Sequence, residues 1–285
     1  MRLSFKTFPR LLLDSFQDWR KISPGILAGA LSYFASISLP PLVVIIGDLM
    51  GRYAGSREIY LELGDTVGAQ IFQSALHWIN LARQTRTPER TLISTLLLVF
   101  VASRVFAHLQ TVYHIIWEYP MEHRNFRQSF FKHTVVPLVL ILATGVLTFI
   151  FVLVAPILGT MSLWMRNMVP WYRAIRKFLN FIFSMGLFTL VFGGLNQGLP
   201  PVSLRWSDVW PGALVTAILF AIARGFLTIY FRLKSFHVYG AAGSIVLVMI
   251  WVYFSAHIFL FGAVLTRRYI LTYGSLAERE TATAG

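Results

Sequence analysis

Residues 91–117 read TLISTLLLVFVASRVFAHLQTVYHIIW, an almost unbroken apolar run that contains Arg104, His108 and His114. A helix needs ~20 apolar residues to cross the hydrocarbon of a bilayer. A charge inside it costs at least ~2.5–3.5 kcal/mol and usually faces the bundle interior or a watery cavity. The stretch therefore predicts a membrane-spanning helix with one polar side. The same reasoning applies to residues 209–231, which contain Arg224.

Similar runs along the chain predict an all-α integral membrane bundle of six transmembrane helices. Hydrophobic residues make up 56% of the 285 positions and charged residues only 13%, whereas a soluble chain carries about 25% charged residues. Charges or Pro and Gly bound each run. The predicted spans are residues 26–50, 91–117, 134–158, 178–196, 209–231 and 241–265.

The segments outside the spans are short, with one exception. Residues 1–25 predict a cytoplasmic amphipathic helix at the interface, because Phe8, Leu12, Phe16 and Trp19 recur at helical spacing. Residues 53–90 predict a helical connection with one apolar face. The membrane domain is expected to cover residues 26–270, and residues 271–285 to form a cytoplasmic tail.

Charge and cysteine content narrow the class of protein. The net charge is +13, and we assign it to basic residues that flank spans and meet anionic lipid headgroups, not to nucleic acid. Five bases precede the first span, which favours cytoplasmic N- and C-termini for an even number of spans. Four bases without a neighbouring acid lie in a predicted outer segment, Arg166, Arg173, Arg176 and Lys177. The favoured interpretation is that they snorkel around short spans, and the alternative is an electropositive outer rim that attracts an anionic headgroup. Since the chain has no cysteine, disulfides and thiol catalysis are excluded.

Several ordered motifs resemble the YihY/virulence factor BrkB family over roughly residues 14–270. The resemblance implies a multi-pass protein of the bacterial inner (cytoplasmic) membrane with six spans, and it brings no activity or catalytic residues with it. The motifs are Asp18-Trp19, residues 28–42, Ser103-Arg104, Ile116-Trp117, residues 210–214, Tyr239-Gly240, residues 251–253 and Phe261-Gly262-Ala263.

The second span carries a polar stripe, because Arg104, His108, His114 and Glu118 fall within about 120° of one another on a helix. One interpretation is a structural network bonded to neighbouring helices. Another is the polar wall of a substrate path. A metal site is a third, although no metal-ligand spacing is met and we predict none.

The two arginines within predicted spans favour binding of an anionic ligand. Arg104 and Arg224 have no acid in the spans except Asp48, and a guanidinium can grip a phosphate or carboxylate in bidentate fashion. The alternative is that they bond backbone carbonyls where a helix is broken, and Pro40-Pro41 predicts such a break in the first span. Tyr33 and His257 are further candidates to line the path.

We find no nucleophile elbow, no P-loop and no zinc-protease motif, and no cofactor is expected. The leading hypothesis is a carrier or flippase-like protein for an anionic amphiphile, such as a phospholipid or a lipid-linked envelope precursor. The alternatives are a non-transporting membrane scaffold in envelope assembly and a membrane-embedded enzyme that uses His108, His114 and Glu118. Self-association into a homo-oligomer is left open.

Overall fold

A computed structural model describes residues 7–53, 88–118, 172–202, 204–233 and 240–275, which contain helices and no strand. The all-α prediction is confirmed. The helices are α1 (Phe8–Lys21), α2 (Pro24–Tyr53), α3 (Pro88–Trp117), α4 (Tyr172–Gly198), α5 (Trp206–Leu233) and α6 (Gly240–Tyr273).

Four helical segments among these residues are long and apolar enough to cross a membrane, and they coincide with four of the predicted spans. They are Leu96–Trp117, Phe181–Gly198, Trp206–Leu227 and Val246–Tyr273, with a shorter apolar segment at Pro24–Ser38. The predicted third span, 134–158, and most of the predicted helical connection, 54–87, lie outside the described residues. The six-span count therefore stays a prediction.

Two helix bounds differ from those predicted. α6 continues to Tyr273 instead of ending at residue 265, because Arg267 and Arg268 mark the edge of the apolar region and not the end of the helix. α2 is continuous through Pro40 and Pro41, where a break was expected. Membrane helices tolerate proline because neighbouring groups satisfy the freed carbonyls.

Helix α6 is the centre of the bundle and contacts each of the other five described helices. The core lies between α2, α3, α4, α5 and α6 and is rich in aromatic rings. Phe192 contacts both Phe220 and Phe259, with ring centroids 5.7 and 6.2 Å apart, and Phe259 contacts Tyr113 at 6.1 Å. These contacts join α3, α4, α5 and α6 into one packed unit.

Helices α5 and α6 approach each other closely at a reciprocal seam, which we call the Gly/Thr seam. Thr216 of α5 lies on Gly262 of α6, and Thr266 of α6 lies on Gly212 of α5. Each threonine hydroxyl donates to the carbonyl of the glycine one turn earlier in its own helix, at 2.7 and 2.8 Å. Small residues let membrane helices approach closely, and here the buried hydroxyls remain satisfied.

One face of the bundle gathers the ends of several helices, and we call it the α1 face. α1 packs there against the end of α6, and α3 ends there, where Glu118 pairs with Arg267. α5 begins there, where Ser275 donates to Asp208 at 2.6 Å. The N-terminal helix and the end of α6 therefore lie at the same face of the bundle. This arrangement is the one expected if the chain crosses the membrane an even number of times between α1 and the end of α6.

Candidate functional site

A cleft of about 1060 Å³ opens between α1, α2, α5 and α6. Its volume is at the upper end of the ~300–1000 Å³ typical of ligand pockets. Along α6 it runs from Phe261 to Met249, which is ~18 Å at 1.5 Å per residue. That length is slightly more than half of a ~30 Å hydrocarbon core. Its lining is almost entirely apolar: Phe16, Trp19, Ser32, Leu219, Ile222, Ala223, Phe226, Leu227, Met249, Ile250, Tyr253, Phe254, His257, Ile258 and Phe261.

The lining has a regular helical origin. On α5 the lining positions are 219, 222, 223, 226 and 227, which are spaced by three and four residues and share one side of the helix. Leu227 is buried against Leu247 of α6, whereas Ile222 and Phe226 are 65% and 72% exposed, so part of this side of α5 is open. Within a bilayer, such a side meets lipid chains or a bound apolar molecule.

Polar groups are concentrated at the end of the cleft near α1. The Tyr253 and His257 rings lie 4.3 Å apart between centroids, and Trp19 meets His257 edge-on at 5.8 Å. His257 Nδ1 lies 3.0 Å from the Tyr253 carbonyl oxygen. Ser32 also lines the cleft, but its hydroxyl donates to the Gly29 carbonyl at 2.8 Å.

The polar stripe of α3 is bonded to the protein's own groups. His108 Nε2 lies 3.4 Å from the Leu27 carbonyl oxygen of α2, and His114 Nδ1 lies 2.9 Å from the Gln110 carbonyl oxygen. Glu118 follows α3 with a φ of 51° and pairs with Arg267 at 2.9 Å. The three side chains thus contact different partners, and the described residues contain no group of three or more potential metal ligands.

The two membrane arginines are not among the residues that line the cleft. Arg104 is exposed on α3, and its guanidinium lies over the Phe100 ring, 5.3 Å from the centroid. Arg224 is half-buried and has an interaction of its own. Neither lines the cleft. Tyr33 is 55% exposed and packs edge-on against Phe34, so only His257 of the predicted site residues borders the cleft.

An ion-pair cluster fastens α1 to α6, and the sequence analysis did not single it out. Arg268 donates to Asp18 at 2.9 Å and to Asp14 at 3.2 Å, and Lys21 pairs with Asp18 at 2.8 Å. The hydrogen bond from Lys21 and the charge of Arg268 hold the pKa of Asp18 below its ordinary value of 3.8. Since α1 supplies Phe16 and Trp19 to the cleft, the cluster also fixes one wall of it.

A buried polar pair was also missed. The Tyr113 hydroxyl donates to Asn196 Oδ1 at 2.8 Å, and both residues are at most 1% exposed. Tyr113 lies on α3 next to the predicted stripe and Asn196 was placed at the end of the fourth span. The pattern of apolar and polar residues on one helix does not predict which residues of another helix will contact it.

Comparison with known proteins finds relatives that are described as membrane proteins. The sequence profile described as Virulence factor BrkB matches residues 17–283. A UPF0761 membrane protein of Vibrio vulnificus is 22% identical over 267 residues, covering 90% of this chain and 79% of its own length. UPF0761 membrane proteins of Coxiella burnetii and Aeromonas salmonicida are 24% and 26% identical, each over 84% of this chain and over 85% and 81% of their own lengths.

No solved structure matches the chain. The profile match covers nearly all of the chain and includes every described helix from α2 to α6. The resemblance carried by the Asp18-Trp19, Trp210-Pro211-Gly212 and Phe261-Gly262-Ala263 motifs is thereby confirmed. This membrane protein belongs to the virulence factor BrkB family.

Proposed function

We propose that the protein is a carrier or flippase-like protein that moves an anionic amphiphile, such as a phospholipid or a lipid-linked envelope precursor, across the bacterial inner membrane. The observation that carries the proposal is the apolar cleft beside α5 and α6. Its length suits one acyl chain lying along the helices within one leaflet. Transfer of apolar chains between lipid and such a cleft involves little free energy, as a carrier requires.

Charge at the mouth of the cleft supports an anionic headgroup. Arg20 follows Trp19 directly on α1 and is exposed. Arg10, near the start of the same helix, is exposed as well. The acids of α1, Asp14 and Asp18, both form ion pairs with Arg268. The exposed charge beside the cleft is therefore basic, which attracts anionic headgroups at the interface.

In this proposal both termini are cytoplasmic, so the α1 face and the mouth of the cleft open toward the cytoplasmic leaflet. Arg104 and Arg224 retain their predicted role in guiding the anionic group, and this role is tested separately from the cleft. His108 and Glu118 of the polar stripe join α3 to α2 and α6, and His114 bonds within α3, so in this proposal these three residues do not contact substrate.

Reconstituted vesicles containing a fluorescent anionic lipid test the proposal by the rate at which label moves between leaflets. Ala223→Trp places an indole in the cleft and is expected to reduce the protein-dependent rate at least fivefold. Gly225→Trp is the matched control, because it adds the same ring to the same helix at a position where a β-carbon has nothing within 4 Å. Equal rates for the two variants would contradict the role of the cleft.

Three further outcomes separate the alternatives. Unchanged transport in Arg104→Ala/Arg224→Ala with the fold preserved would remove the arginines from the mechanism and leave the cleft in place. No transport by the intact protein, under conditions where it is folded, would favour the non-transporting scaffold. If Ala223→Trp alters the oligomeric state in native mass spectrometry, the occupant of the cleft is another copy of the chain.

A further inference from the structure

The side of α6 that lines the cleft continues beyond the cleft to Arg268. The lining positions of α6 end at Phe261 toward the α1 face. At ~100° per residue, Arg268 falls within about 20° of both Phe261 and His257, and it lies ~10 Å beyond Phe261 along the helix. A molecule with its apolar chain in the cleft and a polar group toward the α1 face would therefore meet Arg268.

Helix α1 covers this continuation of the cleft. Trp19 of α1 meets Phe261 with ring centroids 6.3 Å apart. Earlier on the same helix, Asp18 and Asp14 accept hydrogen bonds from Arg268 at 2.9 and 3.2 Å. Two carboxylates of α1 thus hold the guanidinium that an anionic group at this end of the cleft would meet.

These ion pairs are of a kind that another anion can replace. The side chains of Arg268 and Asp14 are 40% and 39% exposed, and ion pairs in contact with water contribute little to stability. Each carboxylate accepts from a different guanidinium nitrogen, whereas one phosphate can accept from both in bidentate fashion. Lys21 pairs with Asp18 at 2.8 Å, so Asp18 keeps a positive partner when Arg268 is released.

The connection between α1 and α2 allows α1 to move as a unit. Only Ile22 and Ser23 separate the two helices, and Ser23 has a φ of 53°, in the left-handed region that residues other than glycine seldom adopt. Hinges are usually a few residues at the ends of such elements, where they absorb changes in backbone angles. α1 packs mainly against α6, so the ion pairs with Arg268 are part of what holds it in place.

We propose that Arg268 binds the anionic headgroup of an amphiphile in the cleft, and that Asp14 and Asp18 occupy it as an internal competitor until the headgroup displaces them and releases α1 as a lid. The carboxylates and the headgroup share one chemistry, since both are anions that accept from the guanidinium. An amphiphile with an anionic group opens the lid, and an uncharged one leaves it closed. The inference rests on the proposed function and names the residue that distinguishes anionic from uncharged amphiphiles.

Binding of two matched lipids to the full-length protein in phosphatidylcholine nanodiscs tests the exchange. One is a lysophosphatidylglycerol, and the other is the uncharged monoacylglycerol with the same acyl chain. Asp18→Asn removes one competing carboxylate, so it should tighten binding of lysophosphatidylglycerol by about two- to fivefold, the factor that corresponds to an ion pair of this exposure. Arg268→Gln should weaken lysophosphatidylglycerol by a similar factor, and neither variant should change binding of the monoacylglycerol.

Glu118→Gln is the matched control for Asp18→Asn. Glu118 also accepts from an arginine of α6, Arg267, at 2.9 Å on the same face of the bundle, but it follows α3 and does not belong to α1. The substitution removes the same charge and should change neither affinity. Equal tightening by Asp18→Asn and Glu118→Gln would reduce the effect to surface charge and overturn the exchange, as would unchanged or weaker binding in Asp18→Asn.

The position of α1 gives a second reading. In this cysteine-free chain, spin labels at Gln17→Cys and Leu271→Cys, both at exposed positions, report the distance between α1 and α6. Lysophosphatidylglycerol should lengthen this distance, whereas monoacylglycerol and inorganic phosphate at equal ionic strength should not. An unchanged distance with lysophosphatidylglycerol bound would overturn the lid, and lengthening by inorganic phosphate alone would make Arg268 a site for free anions instead of headgroups.

The results also distinguish this inference from the proposed function. If both lipids bind equally to the intact protein and both are lost in Ala223→Trp, the cleft binds lipid but Arg268 does not select the charge. If neither binds to the folded intact protein, the lipid-carrying role of the cleft fails as well.

Discussion

Replacing Gly262 with alanine should destabilise the bundle, because Gly262 lies directly under Thr216 in the Gly/Thr seam. A β-carbon there would lie 2.6 Å from Thr216 Cγ2 and 2.8 Å from its Cβ, whereas carbon atoms in contact are ~3.5–4.0 Å apart. Rotating the threonine side chain does not move its Cβ. The two helices must therefore separate locally by roughly 1 Å, the difference between these distances.

The size of this destabilisation can be estimated by comparing Gly262 with Gly225, a second glycine of the same helix pair. Overpacking of this kind costs ~1–3 kcal/mol, and alanine recovers up to ~1 kcal/mol of helix propensity. Gly225→Ala gains the same propensity, but a β-carbon at Gly225 has nothing within 4 Å. The difference in unfolding free energy between the two variants should thus be ~1–3 kcal/mol, with Gly262→Ala the less stable.

Thermal unfolding in nanodiscs, followed by tryptophan fluorescence, measures this difference. Adding Thr216→Gly to Gly262→Ala removes every side-chain atom that overlaps, so the double variant should be more stable than the sum of the single effects predicts. Equal stability of Gly262→Ala and Gly225→Ala, or strict additivity in the double variant, would refute the seam.

Three other perturbations test parts of the structure outside the seam. Tyr113→Phe leaves the buried Asn196 without its donor and should lower stability by ~1–3 kcal/mol, and Asn196→Leu in the same background should recover part of the loss. Because the pKa of Asp18 is lowered in the folded protein, its contribution should be present above pH 3.8 and lost as the pH falls below that value. A melting-temperature profile should therefore flatten in this acid range for Asp18→Asn. With cytoplasmic termini, Lys234 lies in the predicted outer connection between the fifth and sixth spans and Arg20 lies in the cytoplasmic segment before the first span. In this cysteine-free chain, Lys234→Cys should therefore react with an impermeant maleimide applied from outside and Arg20→Cys only after permeabilisation. The reverse pattern would contradict cytoplasmic termini.

The sequence predicts the helices well because an apolar run that can span a membrane is a local feature of the sequence. The apolar runs that predicted spans at 91–117, 178–196, 209–231 and 241–265 all lie within helices, since burial in lipid requires a continuous apolar segment. The end of α6 was placed too early because Arg267 and Arg268 were read as a boundary. They are the residues that join α6 to Glu118, Asp14 and Asp18.

The cleft and its neighbours could not be predicted in the same way, because they depend on which helices meet. Arg268 and Asp14 are 254 positions apart, and nothing in either local pattern links them. Polar residues in apolar spans drew attention to Arg104 and Arg224, which do not line the cleft. His257 was noticed as a lone polar residue, but Trp19, its neighbour at 5.8 Å, was assigned only to the apolar side of an interfacial helix.

The Gly/Thr seam and the cleft are two parts of the same helix pair, so one constrains the other. Near the α1 face, Gly212 and Gly262 allow α5 and α6 to approach closely. Farther along, Ala223 of α5 and Ile250 of α6 both line the walls of the cleft. Helices are stiff over this distance, so a local separation at the seam must change either the spacing or the angle of those walls. The small residues of the seam are thus required for the width of the cleft as well as for stability, and Gly262→Ala should alter lipid binding even at temperatures where the protein remains folded.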